Sequence, residues 1–392
     1  MTDAPGSPTL PTTGRNLEWL RVAAGPALVF LAVRTVGLVV LWLMSWIAGA
    51  DPVEELNSYD GRWLVDIAEF GYSGLDPEKH VDAFGYYNQQ TPYAFFPGYP
   101  MTISTLRLLG LDKVIAGLVV SLTAGVATAY ALVRIGELVP GGSRRAGLIF
   151  VALFAAAPMA VALSMTYTEA LFCALAAWAL VHLLLERWIA AAACCILAGL
   201  VRPTAFALVA AIAAAAGVAV WRGSNQWPRA LAATLVAPAG VVGYLTYVAT
   251  KTESPNGWFA IQERGWGWSF DFGLGALGWT GTILTTDPRL FDAVQVATIL
   301  AYLALLVITI HRRIPWPLVA YTAGVIMITL GASGVITTTR ARYLVPAFIV
   351  FLPVALALAQ RKNSTVWATL VSAALVSGWL GGYALVSFPT AV

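Results

Sequence analysis

The chain has 392 residues, of which 59% are hydrophobic and only 11% charged, with a mean hydropathy of +0.76 and a net charge of +3. A soluble domain carries about 25% charged residues, so this composition excludes one and points to an all-α polytopic membrane protein. The small net charge gives no footprint for nucleic acid, and the three cysteines, Cys173, Cys194 and Cys195, all lie inside apolar runs, which excludes a disulfide framework or a cysteine metal site.

Residues 1–16 are polar and rich in Pro, Ser and Thr, and predict a disordered cytoplasmic tail that extends to about residue 20. The apolar run that follows, 22–49, is too long for a cleaved signal and reads as the first span, opening a single membrane domain over 21–392. The pattern then breaks over 50–112, a first large loop of mixed charge with many aromatics. Within it, Gly61–Phe70 sets Trp63, Leu64 and Ile67 on one face and predicts a short interfacial helix. Residues 98–112 are apolar but short, and read as re-entrant or interfacial.

Further spans are predicted near 113–139, 146–165, 168–186, 188–201, 203–221, 229–250, 291–310, 314–336, 343–359 and 364–388. With the first, that makes about eleven transmembrane helices. Basic clusters at Arg144–Arg145, Arg187, Arg222 with Arg229, Arg312–Arg313 and Arg361–Lys362 separate these runs. If these are cytoplasmic, the unusual polar residues fall on the outer face: the first loop, the turn Met165–Glu169, Arg202–Pro203, a second large loop over 251–290, and 337–342. The short basic loops hold no nucleotide-binding Gly-rich pattern, and no D-x-D or H-x-x-H spacing offers a metal site. An enzyme working from outside on a lipid-linked donor fits that asymmetry.

Six segments carry chemistry in chain order. They are SYDGRWLVDIAEFGY (Ser58–Tyr72), FFPGYP (Phe95–Pro100), SMTYTEALF (Ser164–Phe172), LVRPT (Leu200–Thr204), QERGWG (Gln262–Gly267) and RARYLVP (Arg340–Pro346). Together they resemble the PIG-V-type mannosyltransferases of the GT-C glycosyltransferase superfamily, over roughly residues 20–360. The resemblance implies an inverting transferase that moves mannose from polyprenyl-phosphate-mannose to a hydroxyl of a lipid or glycan acceptor. It also implies a multi-pass plasma-membrane location with an extracytoplasmic site, and neither cofactor nor obligatory metal.

Residue by residue, Asp60 has two readings: the N-cap of a helix beginning at Gly61, or the general base that takes the acceptor proton. Arg202, Arg340 and Arg342 stand against the positive-inside trend and are candidate donor-phosphate ligands, with Arg62 beside Asp60 as a fourth; headgroup snorkelling is the alternative for each. Tyr167 and Glu169 sit at a span mouth, where a carboxylate needs a partner, and suit acceptor binding or the positioning of an arginine. Gln262 and Trp266 gain a sugar-binding role only from the resemblance, the Trp-rich second loop otherwise reading as an interfacial belt. His80 is a possible first-loop site residue. A transporter or flippase of a lipid-linked glycan is the alternative function, disfavoured by the lack of a convincing internal repeat and by the small number of mid-depth charges; a non-catalytic membrane subunit would require neither Asp60 nor the outward arginines.

Overall fold

The computed structural model describes residues 12–286, 288–334 and 339–388, with side chains described from residue 23. Of the expected polar tail, 1–11 lie outside the described residues and the backbone is already helical from Thr12. Helix α1 runs Thr12–Ala48 and contains the apolar span Ala23–Ala48. The first loop folds into three short helices: α2 (Pro52–Leu56), α3 (Asp60–Phe70) and α4 (Gly98–Arg107). At 1.5 Å per residue α4 is about 15 Å long, too short to cross about 30 Å of hydrocarbon, so 98–112 does not span.

Long helices follow wherever a cap meets an apolar run. Asp112 accepts from Val114 and Ile115 N–H and starts α5 (Lys113–Leu138), while Ser143 accepts from Ala146 N–H and starts α6 (Arg144–Ala155). Next come α7 (Glu169–Leu184), α8 (Trp188–Gly199) and α9 (Phe206–Trp221). The apolar stretch Trp227–Thr252 is split at Pro238 into α10 (Trp227–Val236) and α11 (Ala239–Thr252), since proline removes a backbone donor. The second loop holds α12 (Gly257–Trp266), a two-residue strand β1 (Ser269–Phe270) and α13 (Leu274–Thr285). The chain ends with α14 (Leu290–His311), α15 (Trp316–Leu330), strand β2 (Ala332–Ser333), α16 (Arg340–Tyr343), a 3-10 stretch Val345–Phe351, α17 (Leu352–Ala359) and α18 (Asn363–Gly382).

Among the described residues six helices are long and apolar enough to cross a membrane, and four shorter apolar helices stand among them: Glu169–Leu184, Trp188–Gly199, Trp316–Leu330 and Val345–Ala359. The all-α polytopic membrane fold expected from the sequence is present, its apolar runs appearing as a mixture of full-length and short helices. Hydropathy registered the apolar runs but not where each helix gives way to a 3-10 turn, as after α6 and before α17. The core forms where α5 packs on α6 and α7, α7 on α8, α9 on α15, and α1 on α18. β1 and β2 pair antiparallel, Ser269 with Ser333 and Phe270 with Ala332, and so tie the second loop to the segment before α16.

Two close approaches fasten the first loop to the bundle. Gly98 N–H donates to Leu200 C=O at 2.7 Å, and a Cβ at Gly98 would lie 2.8 Å from Val201 and 2.9 Å from that carbonyl. A Cβ at Gly61 would clash with the Thr166 hydroxyl, and Thr166 N–H donates to Leu56 C=O at 3.0 Å. Tyr99 is fully buried, its hydroxyl 2.8 Å from both Gly117 C=O and Ser121 Oγ, while Ser121 donates to Met165 C=O at 2.6 Å. The glycines and tyrosines of the first two segments thus serve to seat the loop on the turn before α7 and the turn after α8.

Candidate active site

The seated loop presents the first residue of α3 to the bundle. Asp60 is itself the first helical residue, Tyr59 is the cap position, and no side-chain capping hydrogen bond forms there. The capping role considered for Asp60 is therefore overturned: its carboxylate turns away from the helix amides toward Arg342. Tyr59 adopts φ 52°, ψ −120°, a conformation unfavourable for a side-chain-bearing residue, so the entry to α3 is a strained turn held by its surroundings.

Arg342 Nη2 donates to Asp60 Oδ2 at 2.6 Å and to the Tyr343 hydroxyl at 2.7 Å. Its Nε lies 3.1 Å from Glu169 Oε1, and Arg202 Nη1 reaches the same oxygen at 2.7 Å. Both contacts on Oε1 are ion pairs by distance rather than aligned hydrogen bonds. Arg202 Nη1 also donates to Thr168 Oγ1 at 2.7 Å. Tyr167 and Tyr343 stack under and beside Arg342, 4.8 and 4.5 Å from ring centre to guanidinium carbon. Two carboxylates and two guanidiniums thus close a neutral cluster drawn from α3, the start of α7, the turn after α8, and α16.

Burial grades the four. The Glu169 side chain is 1% exposed, Arg342 5%, Arg202 9% and Asp60 30%. Burial alone would lower the pKa of Arg342, but Tyr343, Asp60 and Glu169 around it raise it well above the ordinary guanidinium value. Burial pushes the Tyr167 and Tyr343 phenols up, so both stay neutral, Tyr167 donating to Ser58 C=O and Tyr343 accepting from Arg342.

Above the cluster opens a cavity of about 420 Å³. Asp60, Thr168, Arg202, Arg342 and Tyr343 form its polar end. Phe95, Phe96, Phe206, Trp258, Phe259, Trp266, Trp268 and Phe270 form most of an aromatic wall, with Gln262 beside it. Gln262 Nε2 donates to Ala94 C=O at 3.2 Å, as does the Trp258 indole, so the second loop closes onto the first. Among the described residues Asp60 Oδ1 takes no hydrogen bond and Arg202 Nε has no partner.

The candidate residues divide accordingly. Asp60, Arg202, Arg342, Gln262 and Trp266 line the cavity, and Glu169 and Tyr167 lie buried beneath it. Glu169 is enclosed between two arginines and offers no open face to an acceptor. Arg62, Arg340 and His80 are not brought to the cavity. Arg62 is exposed, in the field of Glu55 and Tyr59. Arg340 is fully buried, donates Nη2 to Ala332 C=O at 2.7 Å, and so braces β2. His80 sits between Asp66 Oδ2 and Asp76 C=O, 3.0 Å from each, on a separate ion-pair network in which Lys113 bridges Asp66 and Glu69. Thr168 and Tyr343 are site residues that the sequence reading missed, although each adjoins a singled-out charge in its own segment. Among the described residues no three His, Cys, Asp or Glu side chains gather as a metal-binding group.

Removing one member of a buried ion cluster leaves its partners uncompensated, which costs about 3–5 kcal/mol. Glu169→Ala is expected to lower the melting temperature in detergent markedly, whereas Asp60→Asn, at the open edge, leaves it nearly unchanged. Equal melting temperatures for wild type and Glu169→Ala would show that the cluster does not hold the fold together.

No family model matches the chain, and no curated protein matches it in sequence. Among solved structures, ArnT from Cupriavidus metallidurans, bound to undecaprenyl phosphate, is similar at a TM-score of 0.55 and 16% sequence identity. The similarity covers 89% of this chain and 63% of ArnT, so this chain spans less than two thirds of that protein's length. At that identity the likeness speaks for the fold alone: the chain is an all-α polytopic membrane protein whose fold is similar to that of ArnT.

Proposed function

We propose that the protein is an inverting glycosyltransferase that takes a sugar, mannose on the sequence resemblance, from a polyprenyl-phosphate donor and attaches it to a hydroxyl of a lipid or glycan acceptor. The observation that carries the reading is the cavity itself, in which one partly exposed carboxylate, Asp60, and one lining arginine, Arg202, meet at the foot of an aromatic wall. The likeness to a fold whose representative was solved with undecaprenyl phosphate supports a lipid-phosphate donor.

In this mechanism the acceptor hydroxyl attacks the anomeric carbon from the Asp60 side. The new C1–O bond forms as the C1–O bond to phosphate breaks, and the hydroxyl proton passes to Asp60 Oδ1. Arg342, hydrogen-bonded to Oδ2, keeps the other oxygen facing the acceptor. Polyprenyl phosphate departs against Arg202, whose guanidinium stabilises the growing charge. The aromatic wall suits the sugar face and the first isoprene units, and Arg340 and Arg62 enter the mechanism only through the structure around it. The transporter alternative finds less support, because the ion cluster gathers at helix ends, the starts of α3 and α7 and the turn after α8.

Asp60→Asn preserves shape and removes the proton acceptor. Its transfer rate from polyprenyl-phosphate-mannose is expected to fall by about a hundredfold or more at an unchanged melting temperature. Arg202→Ala is expected to lose about tenfold or more in donor use, the worth of a charged hydrogen bond to phosphate, against no change for Arg222→Ala. Near-normal turnover by Asp60→Asn would remove it as base, and a silent Arg202→Ala would remove the phosphate assignment.

The extracytoplasmic location of the cavity is part of the proposal and rests on the basic clusters at the opposite helix ends. Single cysteines at Lys251 and Arg145 are expected to react with an impermeant thiol reagent from outside and from inside, respectively. Labelling of both from one side would contradict it.

A further inference from the structure

Tyr343 is the last residue of α16, and the reaction described above leaves its hydroxyl unused. Arg342 Nη2 donates to that hydroxyl at 2.7 Å and to Asp60 Oδ2 at 2.6 Å, so the two oxygens lie no farther apart than those two bonds laid end to end. The Tyr343 side chain is half-buried and lines the cavity together with Asp60. Its ring is held by two guanidiniums, the Arg342 carbon 4.5 Å and the Arg202 carbon 5.4 Å from the ring centre.

A phenol oxygen both accepts and donates, whereas an arginine can only donate. The bond from Arg342 therefore takes an acceptor position of Tyr343 and leaves the hydroxyl proton to be placed. Burial pushes the phenol up, so the proton stays on the oxygen. Among the described residues that oxygen makes no second hydrogen bond. A phenol proton without an acceptor in a half-buried site is costly, so the position calls for an oxygen supplied from the cavity. Asp60 Oδ1 makes the complementary demand: it takes no hydrogen bond among the described residues and, as a carboxylate, can only accept. A proton without an acceptor and an acceptor without a proton thus border one cavity, joined through a single arginine nitrogen. An alcohol oxygen, with one proton and two lone pairs, satisfies both.

We propose that Tyr343 binds the acceptor, its hydroxyl donating to the same acceptor oxygen whose proton goes to Asp60 Oδ1. This assignment rests on the transfer reaction proposed above. The acceptor oxygen then has its proton on Asp60, one lone pair on Tyr343 and one lone pair left for the anomeric carbon, which fixes the direction of attack. As the new C1–O bond forms, the proton passes to Asp60, the electron pair of the C1–O bond to phosphate leaves with polyprenyl phosphate, and Tyr343 keeps its own proton. Arg202 meets the ring of Tyr343 and not its hydroxyl, so phosphate and acceptor use different parts of the site.

The test is Y343F in the full chain, which keeps the ring between the two arginines and removes the hydroxyl. The acceptor probe is n-octyl α-D-mannoside, the donor is polyprenyl-phosphate-mannose, and binding of undecaprenyl phosphate is measured separately. The KM for the acceptor probe is expected to rise about three- to tenfold, the worth of a neutral hydrogen bond. Undecaprenyl phosphate affinity, donor KM and melting temperature are expected to stay unchanged, although a merely structural role would move them. An unchanged acceptor KM, or weakened binding of undecaprenyl phosphate, overturns the assignment. If Y343F does not accumulate, 3-fluorotyrosine at position 343 keeps the hydroxyl and makes it a stronger donor; acceptor KM is then expected to fall, and a constant KM overturns the assignment. A wild type that transfers neither to the probe nor to water would remove the proposed function and this role with it, whereas an active wild type matched by Y343F would remove the role of Tyr343 alone.

Discussion

A buried guanidinium must be paired, and in this protein the pairing of Arg342 governs the architecture of the site. Its two carboxylate partners, Asp60 and Glu169, come from segments far away in the chain, Asp60 alone being separated from it by 282 residues. Removing the buried Glu169 would leave Arg342 and Arg202 without the carboxylate they share, at a cost of several kcal/mol, whereas Asp60 stands at the open edge. The first loop, the turn before α7 and the segment after β2 must therefore meet at one point. Arg202 completes the balance by taking the second side of Glu169.

Neutral contacts then fix the geometry that charge alone would leave loose. The bond from Gly98 to Leu200, the bond from Thr166 to Leu56, and the Tyr99 hydroxyl on α5 hold backbone against backbone around the cluster. Tyr244 extends this to the outer part of the loop, its hydroxyl 2.7 Å from Phe95 C=O. The cavity is thus bounded by rigid elements on the loop side and by the aromatic residues of α12 and β1 on the other. Such pre-set geometry is what a proton transfer and a departing phosphate both need, because neither tolerates reorganisation during the reaction.

Much of this was legible in the sequence because charge and small residues are conspicuous in a hydrophobic chain. Asp60, Glu169, Arg202 and Arg342 stood out as polar residues at span mouths, and the structure gathers all four. For Arg62 and Arg340, which lie away from the cavity, the physical cause is helical phase. Arg62 follows Asp60 by two residues, and Arg340 precedes Arg342 by two; two residues on a helix are about 200° apart, so each neighbour faces away from the cavity. His80 could not be placed from sequence, since its partner Asp66 and the network through Lys113 depend on how a non-helical stretch folds back. Helix lengths were less legible than the apolar runs themselves, because hydropathy measures composition, whereas turns inside apolar runs shorten several helices.

The central claim is that the cavity above the ion cluster receives the phosphate of a polyprenyl donor at Arg202. The most direct measurement is a structure of the full chain determined with undecaprenyl phosphate. The account predicts a phosphate oxygen about 3 Å from the Arg202 guanidinium, with the first isoprene units along Trp258, Phe259 and Trp268. An empty cavity with the lipid phosphate seated elsewhere on the protein would contradict it.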